Sequence, residues 1–176
     1  MRTSRWLIPG AAVVGLGLAC LGSGRPGAPA APAAPAPPSI EGNYVLDYRE
    51  LPDGTKVRAP DVAGMMTFTK DRRNFNVYWK EKDKTVSIGI VSRYTLSAKE
   101  YTEENVYFTI ADGVGGKAPV YDLSSAKGSS PVTVKDGRIQ FQLPLHSEPE
   151  AVFEKGGLTA TRTGDHGFVD HWKKID

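Results

Sequence analysis

This chain has few histidines that could act as catalytic bases, and their spacing in the sequence does not predict that they share a site. The 176 residues include three histidines, His146, His166 and His171. A serine nucleophile needs such a base within hydrogen-bond reach, and a third group that orients the base. No Gly-x-Ser-x-Gly turn is present, and His166 and His171 would point to opposite faces of one strand. The pattern therefore predicts no catalytic residue, no metal site and no enzymatic activity.

His171 and the acidic residues around Glu103 leave alternatives open. His171 stands between an aspartate and Trp172, which indicates either a solvated, outward histidine or a polar group at the rim of a pocket. Glu103 and Glu104, with Glu100 upstream, could pair for acid–base chemistry. Adjacent carboxylates beside a turn are usually solvated, however, and we interpret them as surface residues.

The segment Ala111 to Ala118, ADGVGGKA, is rich in glycine but lacks the pattern of a phosphate-binding loop. A Walker loop needs a glycine where Ala111 stands, and a hydroxyl residue after Lys117, where Ala118 stands. We expect a flexible loop here and no nucleotide. No cofactor is predicted for any part of the chain.

The only cysteine, Cys20, ends an N-terminal segment with the features of an export signal. Arg2 and Arg5 provide a positive start, and residues 6–21 are mostly apolar. This run is shorter than the ~20 residues that a membrane-spanning helix needs. We predict a signal peptide over residues 1–19. Residues 20–39, which are rich in Pro and Ala, are predicted to form a disordered tether.

The sequence Gly17-Leu18-Ala19-Cys20 resembles the lipobox of bacterial lipoproteins, in which the cysteine becomes the first mature residue and carries the lipid. The resemblance implies a lipidated Cys20 and an exported protein of the cell envelope or periplasm, held at a membrane by this anchor. An unmodified Cys20 behind an ordinary cleaved signal is the alternative.

The charge balance argues against nucleic acid as a partner. The chain carries 22 Lys and Arg against 20 Asp and Glu, and Arg2 and Arg5 lie in the predicted signal peptide. The mature protein is therefore close to neutral and lacks the basic stripe that phosphate binding requires.

Residues 40–176 have the length of one domain and the two-residue alternation of β-strands. In the first run the alternation sets Tyr44, Leu46 and Tyr48 against Val45, Asp47 and Arg49. In a later run it sets Val106, Phe108 and Ile110 against Asn105, Tyr107 and Thr109. About nine or ten short strands in a meander either close into a barrel or split into two sheets. We predict an all-β fold, a single up-and-down antiparallel β-barrel, with a β-sandwich as the alternative.

The segment 40–176 also resembles the lipocalin-like domains of bacterial envelope proteins. The resemblance is carried by EGNY with LPDGT, GMMTFTKDRRNFNVYWK, VFEKGGLTATR and the ending GFVDHWKK. It implies that Gly42 and Tyr44 match the Gly-x-Trp that closes one end of such barrels. In such barrels an arginine near the end of the chain lies over this aromatic residue, and the resemblance makes Arg162 the candidate for that arginine. The Thr-Asp-Tyr signature of core lipocalins is missing, since Ile110 follows Thr109.

A closed barrel of about eight strands has an interior that is filled by side chains or holds one small ligand. The hypothesis we favour is an exported, lipid-anchored protein that binds a small hydrophobic or amphipathic molecule inside the barrel. An isomerase or cyclase on the same barrel, and an envelope interaction or structural module with a filled barrel, are the alternatives. The predicted ligand contacts are Trp79, Tyr94, Phe108, Phe141, Arg162 and Trp172.

Overall fold

The computed structural model describes residues 38–81, 84–113 and 118–176, in which every regular element is a β-strand. The predicted signal peptide, Cys20, nearly all of the predicted tether and residues 114–117 of the glycine-rich loop lie outside the described residues. The strands are β1 Gly42–Glu50, β2 Lys56–Val57, β3 Val62–Phe68, β4 Arg72–Glu81, β5 Lys84–Leu96, β6 Glu100–Asp112, β7 Val120–Asp122, β8 Lys127–Pro131, β9 Thr133–Lys135, β10 Arg138–Gln142, β11 Glu150–Glu154, β12 Gly157–Arg162 and β13 Phe168–Lys174.

All of these strands belong to one antiparallel sheet with the order β7-β6-β5-β4-β3-β1-β13-β12-β11-β10-β9, with β2 beside β1 and β8 beside β6. Neighbours in the sheet are mostly neighbours in the chain, and β13 returns beside β1. The predicted all-β, up-and-down antiparallel, barrel-like fold is therefore confirmed. The alternative with two stacked sheets is not found, because the described strands form a single sheet.

The sheet curls until β8 approaches β10. The hydroxyl of Ser130 on β8 donates a hydrogen bond to the carbonyl oxygen of Gln142 on β10 at 2.5 Å. The segment between β10 and β11 fills the remaining gap: a Cβ atom on Gly128 would lie 2.9 Å from Pro144 and 3.1 Å from Leu145. We call residues 143–149 the strap. Between β8 and β10 the described residues form no ladder of backbone hydrogen bonds, and the barrel is closed there by these side-chain contacts.

Two β-bulges correct the predicted faces of the strands. The β1–β13 register shifts between Leu46 and Tyr48, so Arg49 turns inward and Tyr48 outward, the reverse of simple alternation. The β5–β6 register shifts opposite Val106, which is 39% exposed, and Asn105 becomes buried. A bulge adds one residue to one strand and thereby resets its two-residue period. Each of these bulges directs polar side chains into the interior.

One end of the barrel is filled by aromatic side chains around Tyr44. Its ring makes edge contacts with Phe68 and Phe153, at centroid distances of 6.2 and 5.9 Å. The hydroxyl donates a hydrogen bond to the carbonyl oxygen of Ile40 at 2.9 Å, and burial raises the pKa of Tyr44 to about 12. Lys174 lies over the ring, with Nζ 5.8 Å from the centroid. Lys174, and not Arg162 as predicted, is therefore the cation that covers the aromatic residue of the first strand.

Candidate ligand-binding cavity

A cavity of about 690 Å³ lies inside the barrel, above the filled end. Several apolar side chains that point inward are only half-buried, which is the exposure expected for residues that border a cavity and not a packed core. Gly64 leaves room for the buried indole ring of Trp172, because a Cβ atom there would lie 2.9 Å from its Cη2. The apolar wall includes Phe75, Val77, Trp79, Ile88, Ile90, Phe108, Ile110, Leu158, Ala160, Phe168 and Trp172.

A buried charged cluster forms the inner end of the cavity. Nη1 of Arg73 lies 3.0 Å from a carboxylate oxygen of Glu103 and 3.0 Å from one of Glu148, and Nη2 donates a second hydrogen bond to Glu148. Glu103 also accepts hydrogen bonds from Ser92 at 2.5 Å and from Tyr101 at 3.1 Å. Arg73 and Glu148 border the cavity. The bulge at β6 is what turns Glu103 toward this arginine.

Burial and charge determine the protonation of this cluster. Burial raises the pKa of Glu148, although the adjacent Arg73 lowers it. The carboxylates of Glu148 and Glu103 hold the pKa of Arg73 well above its usual value in spite of burial. Removal from water disfavours the charged form of a carboxyl group, so burial in this cluster favours the protonated form of Glu148.

A second ion pair lies in the wall nearer the open end. Arg49 donates from Nε to Oδ1 of Asp170 at 2.7 Å and from Nη2 to Oδ2 at 2.8 Å. The guanidinium lies 3.9 Å from the ring centroid of Phe168 and 5.0 Å from that of Trp79. Burial raises the pKa of Asp170, and Arg49 opposes the shift. The positive charge of Arg49 is thus compensated by a carboxylate and two ring faces.

Loops at one end of the barrel form the mouth of the cavity. Most of the exposed lining residues lie here, on the connections between β1 and β3, on the end of β4 and on the turn between β12 and β13. Arg162 is exposed and has no carboxylate partner among the described residues, whereas Lys80 pairs with Asp61 at 2.8 Å. The exposed lining residues at this end are Pro52, Asp61, Lys80, Glu81, Arg162, Asp165 and His166, and Ser147 of the strap is exposed as well.

The strap supplies polar side chains to the opposite side of the cavity. His146 stacks on Phe108 of β6 at a centroid distance of 4.0 Å, and burial lowers the pKa of its imidazole. His146 and Ser147 both have φ of 53°, a backbone conformation that is uncommon for residues other than glycine. Glu148 follows at once and reaches Arg73 across the interior. The strained turn therefore directs three consecutive residues toward the cavity.

The structure brings together some of the predicted contact residues and separates others. Trp79, Phe108, Arg162 and Trp172 border the cavity, three in its wall and Arg162 at its mouth. Tyr94 and Phe141 lie in the filled end instead. Each stacks against Tyr101, at 5.7 and 4.3 Å between centroids, and the hydroxyl of Tyr94 donates a hydrogen bond to the carbonyl oxygen of Thr69.

Gly42 stands two residues before Tyr44, at the filled end of the barrel. Its φ is 146°, a conformation that other residues rarely adopt. A Cβ atom at Gly42 would lie 2.3 Å from Cε of Lys174, the residue that covers Tyr44. Only glycine therefore fits at this place.

The prediction that Glu103 is a solvated surface residue is wrong, since only 2% of the residue is exposed. Residues of the inner charged cluster were missed because Arg73 occurs in a basic turn sequence and Glu103 in an acidic one. Arg49 and Asp170 were missed for a similar reason, as each stands beside another titratable residue, Glu50 and His171. Arg49, Arg73, Glu103 and Asp170 are charged residues within predicted strands, and this was the only signal in the sequence that could have indicated a charged interior. The bulges that turn Arg49 and Glu103 inward cannot be recognised from the residue types around them.

The histidines differ in position. His171 lies on the outer face, stacked on Tyr48 at 4.2 Å, with Nε2 3.9 Å from a carboxylate oxygen of Glu50. This agrees with the interpretation of His171 as an outward residue beside an aromatic one that faces the core. His146 and His166 border the cavity from different loops.

Across residues 38–81, 84–113 and 118–176, no group of three or more His, Cys, Asp or Glu residues is placed to hold a metal ion. Within the same ranges, no helix has the length and apolar character needed to cross a membrane.

In comparisons with known proteins, no family model, no curated protein and no solved structure matches this chain.

Proposed function

We propose that this protein binds a small hydrophobic or amphipathic molecule inside its barrel. The observation that carries the proposal is the cavity of about 690 Å³, walled by aromatic and aliphatic side chains and open at one end. Ligand sites in proteins have volumes of roughly 300–1,000 Å³, mostly apolar walls and a few placed polar groups. The filled opposite end makes the barrel a cup, and the polar groups lie at its inner end and its mouth.

Native mass spectrometry of the purified protein, followed by solvent extraction, tests this proposal directly. We expect an extractable apolar molecule, or saturable binding of an apolar fluorescent dye that a panel of small hydrophobic compounds displaces. Ala160→Phe, which adds a ring to the cavity wall, should weaken dye binding at least tenfold. Thr159→Phe places the same ring on the outer face of β12 and serves as the matched control. Equal dye binding by both variants, each checked for folding by circular dichroism, would contradict a site inside the barrel.

An isomerase or cyclase that uses the same cavity is the second candidate, and Glu148 is the observation that favours it. A carboxyl group whose pKa is raised by burial, at the wall of an apolar cavity, is suited to donate or accept a proton. Conversion of a bound compound by the protein, and its loss in Glu148→Gln with binding retained, would support this activity. A bound compound that is recovered unchanged supports simple binding.

The export and anchoring of the protein belong to the same proposal. The signal-like residues 1–19 and the lipobox-like sequence ending at Cys20 support processing at Cys20 and attachment of a lipid. Metabolic labelling with a radioactive fatty acid in a bacterial host should label the protein, and Cys20→Ala should abolish the label. A mature protein that is cleaved but carries no lipid would contradict the anchor and leave the barrel proposal untouched.

A further inference from the structure

The inner end of the cavity contains more carboxylates than cations. Arg73 lies between Glu103 and Glu148, and neither carboxylate forms an ion pair with any other basic side chain among the described residues. His146, on the same strap as Glu148, supplies no second cation at pH 7.5, because burial lowers the pKa of its imidazole from the usual 6.5. One guanidinium cannot neutralise two carboxylates, so the cluster keeps a negative charge whenever both are ionised.

The other charges around the cavity do not supply the missing cation. The two further ion pairs of the lining are balanced, since each joins one cation to one carboxylate. At the mouth, Arg162 is accompanied by the exposed carboxylates of Glu81 and Asp165. With Glu103, the part of the lining that the structure describes therefore has four cations and six carboxylates. Walls of low dielectric concentrate the field of such a surplus, which acts across several ångströms and attracts a cation without contact to any one buried atom.

Glu148 is the most accessible member of the inner charged cluster. It borders the cavity, and 8% of its side-chain surface is exposed, against 1% for Arg73 and 0% for Glu103. Each of its carboxylate oxygens accepts a hydrogen bond from Arg73, and an ionised carboxylate oxygen can accept two. Glu148 therefore retains acceptor capacity for an ammonium group, and hydrogen bonds between charged partners are stronger than those between neutral ones.

The aromatic rings of the wall are compatible with a cation. The guanidinium of Arg49 lies 3.9 Å from the ring centroid of Phe168 and 5.0 Å from that of Trp79, and the guanidinium of Arg73 lies 5.2 Å from that of Phe75. The face of an aromatic ring carries partial negative charge, so it attracts a cation and repels an anion. The wall therefore accepts an apolar or aromatic body and favours a positive charge on it.

We propose that the cavity selects a compact, mostly apolar molecule that carries one positive charge, such as a protonated amine on an aromatic body, with this charge directed toward Glu148. A carboxylate of the same shape is excluded, because it would add to the surplus of negative charge. This inference rests on the proposed function, since it names the class of ligand for the same cavity. Burial raises the pKa of Glu148, and a bound ammonium group opposes this shift by supplying a second cation.

Three probes with one naphthalene body test the inference by isothermal titration calorimetry at pH 7.5. They are 2-naphthylmethylamine, 2-naphthylmethanol and 2-naphthoate, which carry a positive charge, no charge and a negative charge at this pH. We expect the amine to bind at least tenfold more tightly than 2-naphthoate, with the alcohol between them. The preference for the amine over the alcohol should persist in about 0.5 M NaCl, because salt screens exposed charges much more than buried ones.

Glu148→Gln keeps the shape of the side chain and removes the surplus negative charge. The affinity for the amine should fall to within twofold of that for the alcohol, whereas the affinity for the alcohol should change less than twofold. Glu150→Gln removes the same charge from an exposed position on β11 and is the matched control. It should bind the amine as wild type does. Circular dichroism checks that both variants are folded.

Two results would overturn the inference while the proposed function stands. One is that 2-naphthoate binds wild type as tightly as the amine does. The other is that Glu148→Gln and Glu150→Gln change the affinity for the amine by the same factor, since the charge at the inner end would then have no part in selection. If none of the three probes binds although an apolar dye or an extracted molecule does, the inferred ligand class is also wrong. Failure of every dye and of extraction would instead remove the proposed function itself.

Discussion

Arg49 and Asp170 stand opposite each other in the β1–β13 ladder and form two parallel hydrogen bonds inside the barrel, at 2.7 and 2.8 Å. Their side chains are 9% and 5% exposed. The pair exists because the bulge after Leu46 turns Arg49 inward, toward the face on which Asp170 already lies. A local irregularity of one strand therefore decides which charge lines the interior cavity.

Asp170→Asn should destabilise the fold strongly. The substitution leaves the Arg49 guanidinium buried without a compensating charge, a change that costs about 3–5 kcal/mol in comparable pairs. Urea unfolding would measure the loss. The double variant Arg49→Met with Asp170→Asn should regain most of the free energy of unfolding, because no uncompensated charge remains. A double variant as unstable as the single one would show that packing, and not charge, is the dominant contribution.

Stability should depend on pH through Glu148. Burial raises the pKa of Glu148 in the folded protein above its ordinary value of 4.5, so the fold binds this proton more tightly than the unfolded chain does. The resulting stabilisation is fully present below pH 4.5 and is lost as the pH rises through the folded pKa. The glutamine in Glu148→Gln cannot bind or release a proton, so this variant should lack the pH-dependent stabilisation. The free energy of unfolding of wild type should therefore fall relative to that of Glu148→Gln as the pH rises from 4.5 toward 7.

Chemical denaturation at several pH values between 4 and 7 tests this prediction. Glu150→Gln, a change at an exposed carboxylate on β11, is the control and should follow wild type throughout. A constant difference between wild type and Glu148→Gln across this range would contradict the assignment of the raised pKa to Glu148.

Gly157 and Gly156 should respond very differently to replacement by alanine. A Cβ atom at Gly157 would lie 2.0 Å from the carbonyl oxygen of Trp172, a backbone atom that cannot move aside without disturbing the β12–β13 ladder. At Gly156 a Cβ atom would meet nothing within 4 Å. We expect Gly157→Ala to cost several kcal/mol, on the order of 3 or more, and Gly156→Ala to change stability by less than about 0.5 kcal/mol. Thermal melts of the two variants give the comparison, and equal melting temperatures would contradict it.

Ser130→Ala should weaken the closure of the barrel between β8 and β10. Ser130 is buried, and its hydroxyl is the donor to the Gln142 carbonyl oxygen. Loss of one such hydrogen bond costs about 1 kcal/mol, with an additional penalty for the carbonyl left unpaired. Hydrogen exchange should rise in β8 and in the strap, while β1 and β13 stay protected. Ser129→Ala alters the exposed neighbour and should leave exchange unchanged.

Much of the fold follows from local patterns in the sequence. Alternation of apolar and polar residues predicts the strands that contain Tyr44, Phe75, Ile90 and Phe141, because the side chains of a strand point alternately to its two faces. Turns such as the one at Asp136 and Gly137 separate the strands for equally local reasons. The same alternation places Trp79, Phe108 and Trp172 inside the barrel, which the structure bears out.

The charged interior could not be obtained in this way. Arg49 and Glu103 face inward only because bulges shift the period within β1 and β6. Their partners are distant in the chain: Asp170 is 121 residues from Arg49, and Arg73 is 30 residues from Glu103. Whether Tyr94 and Phe141 border the cavity or the filled end likewise depends on the stagger of the curled sheet. The sequence by itself determined a meander of strands with one apolar face. Only the tertiary structure decided where that face leaves a cavity and which charges line it, because those outcomes depend on register and closure between strands distant in the chain.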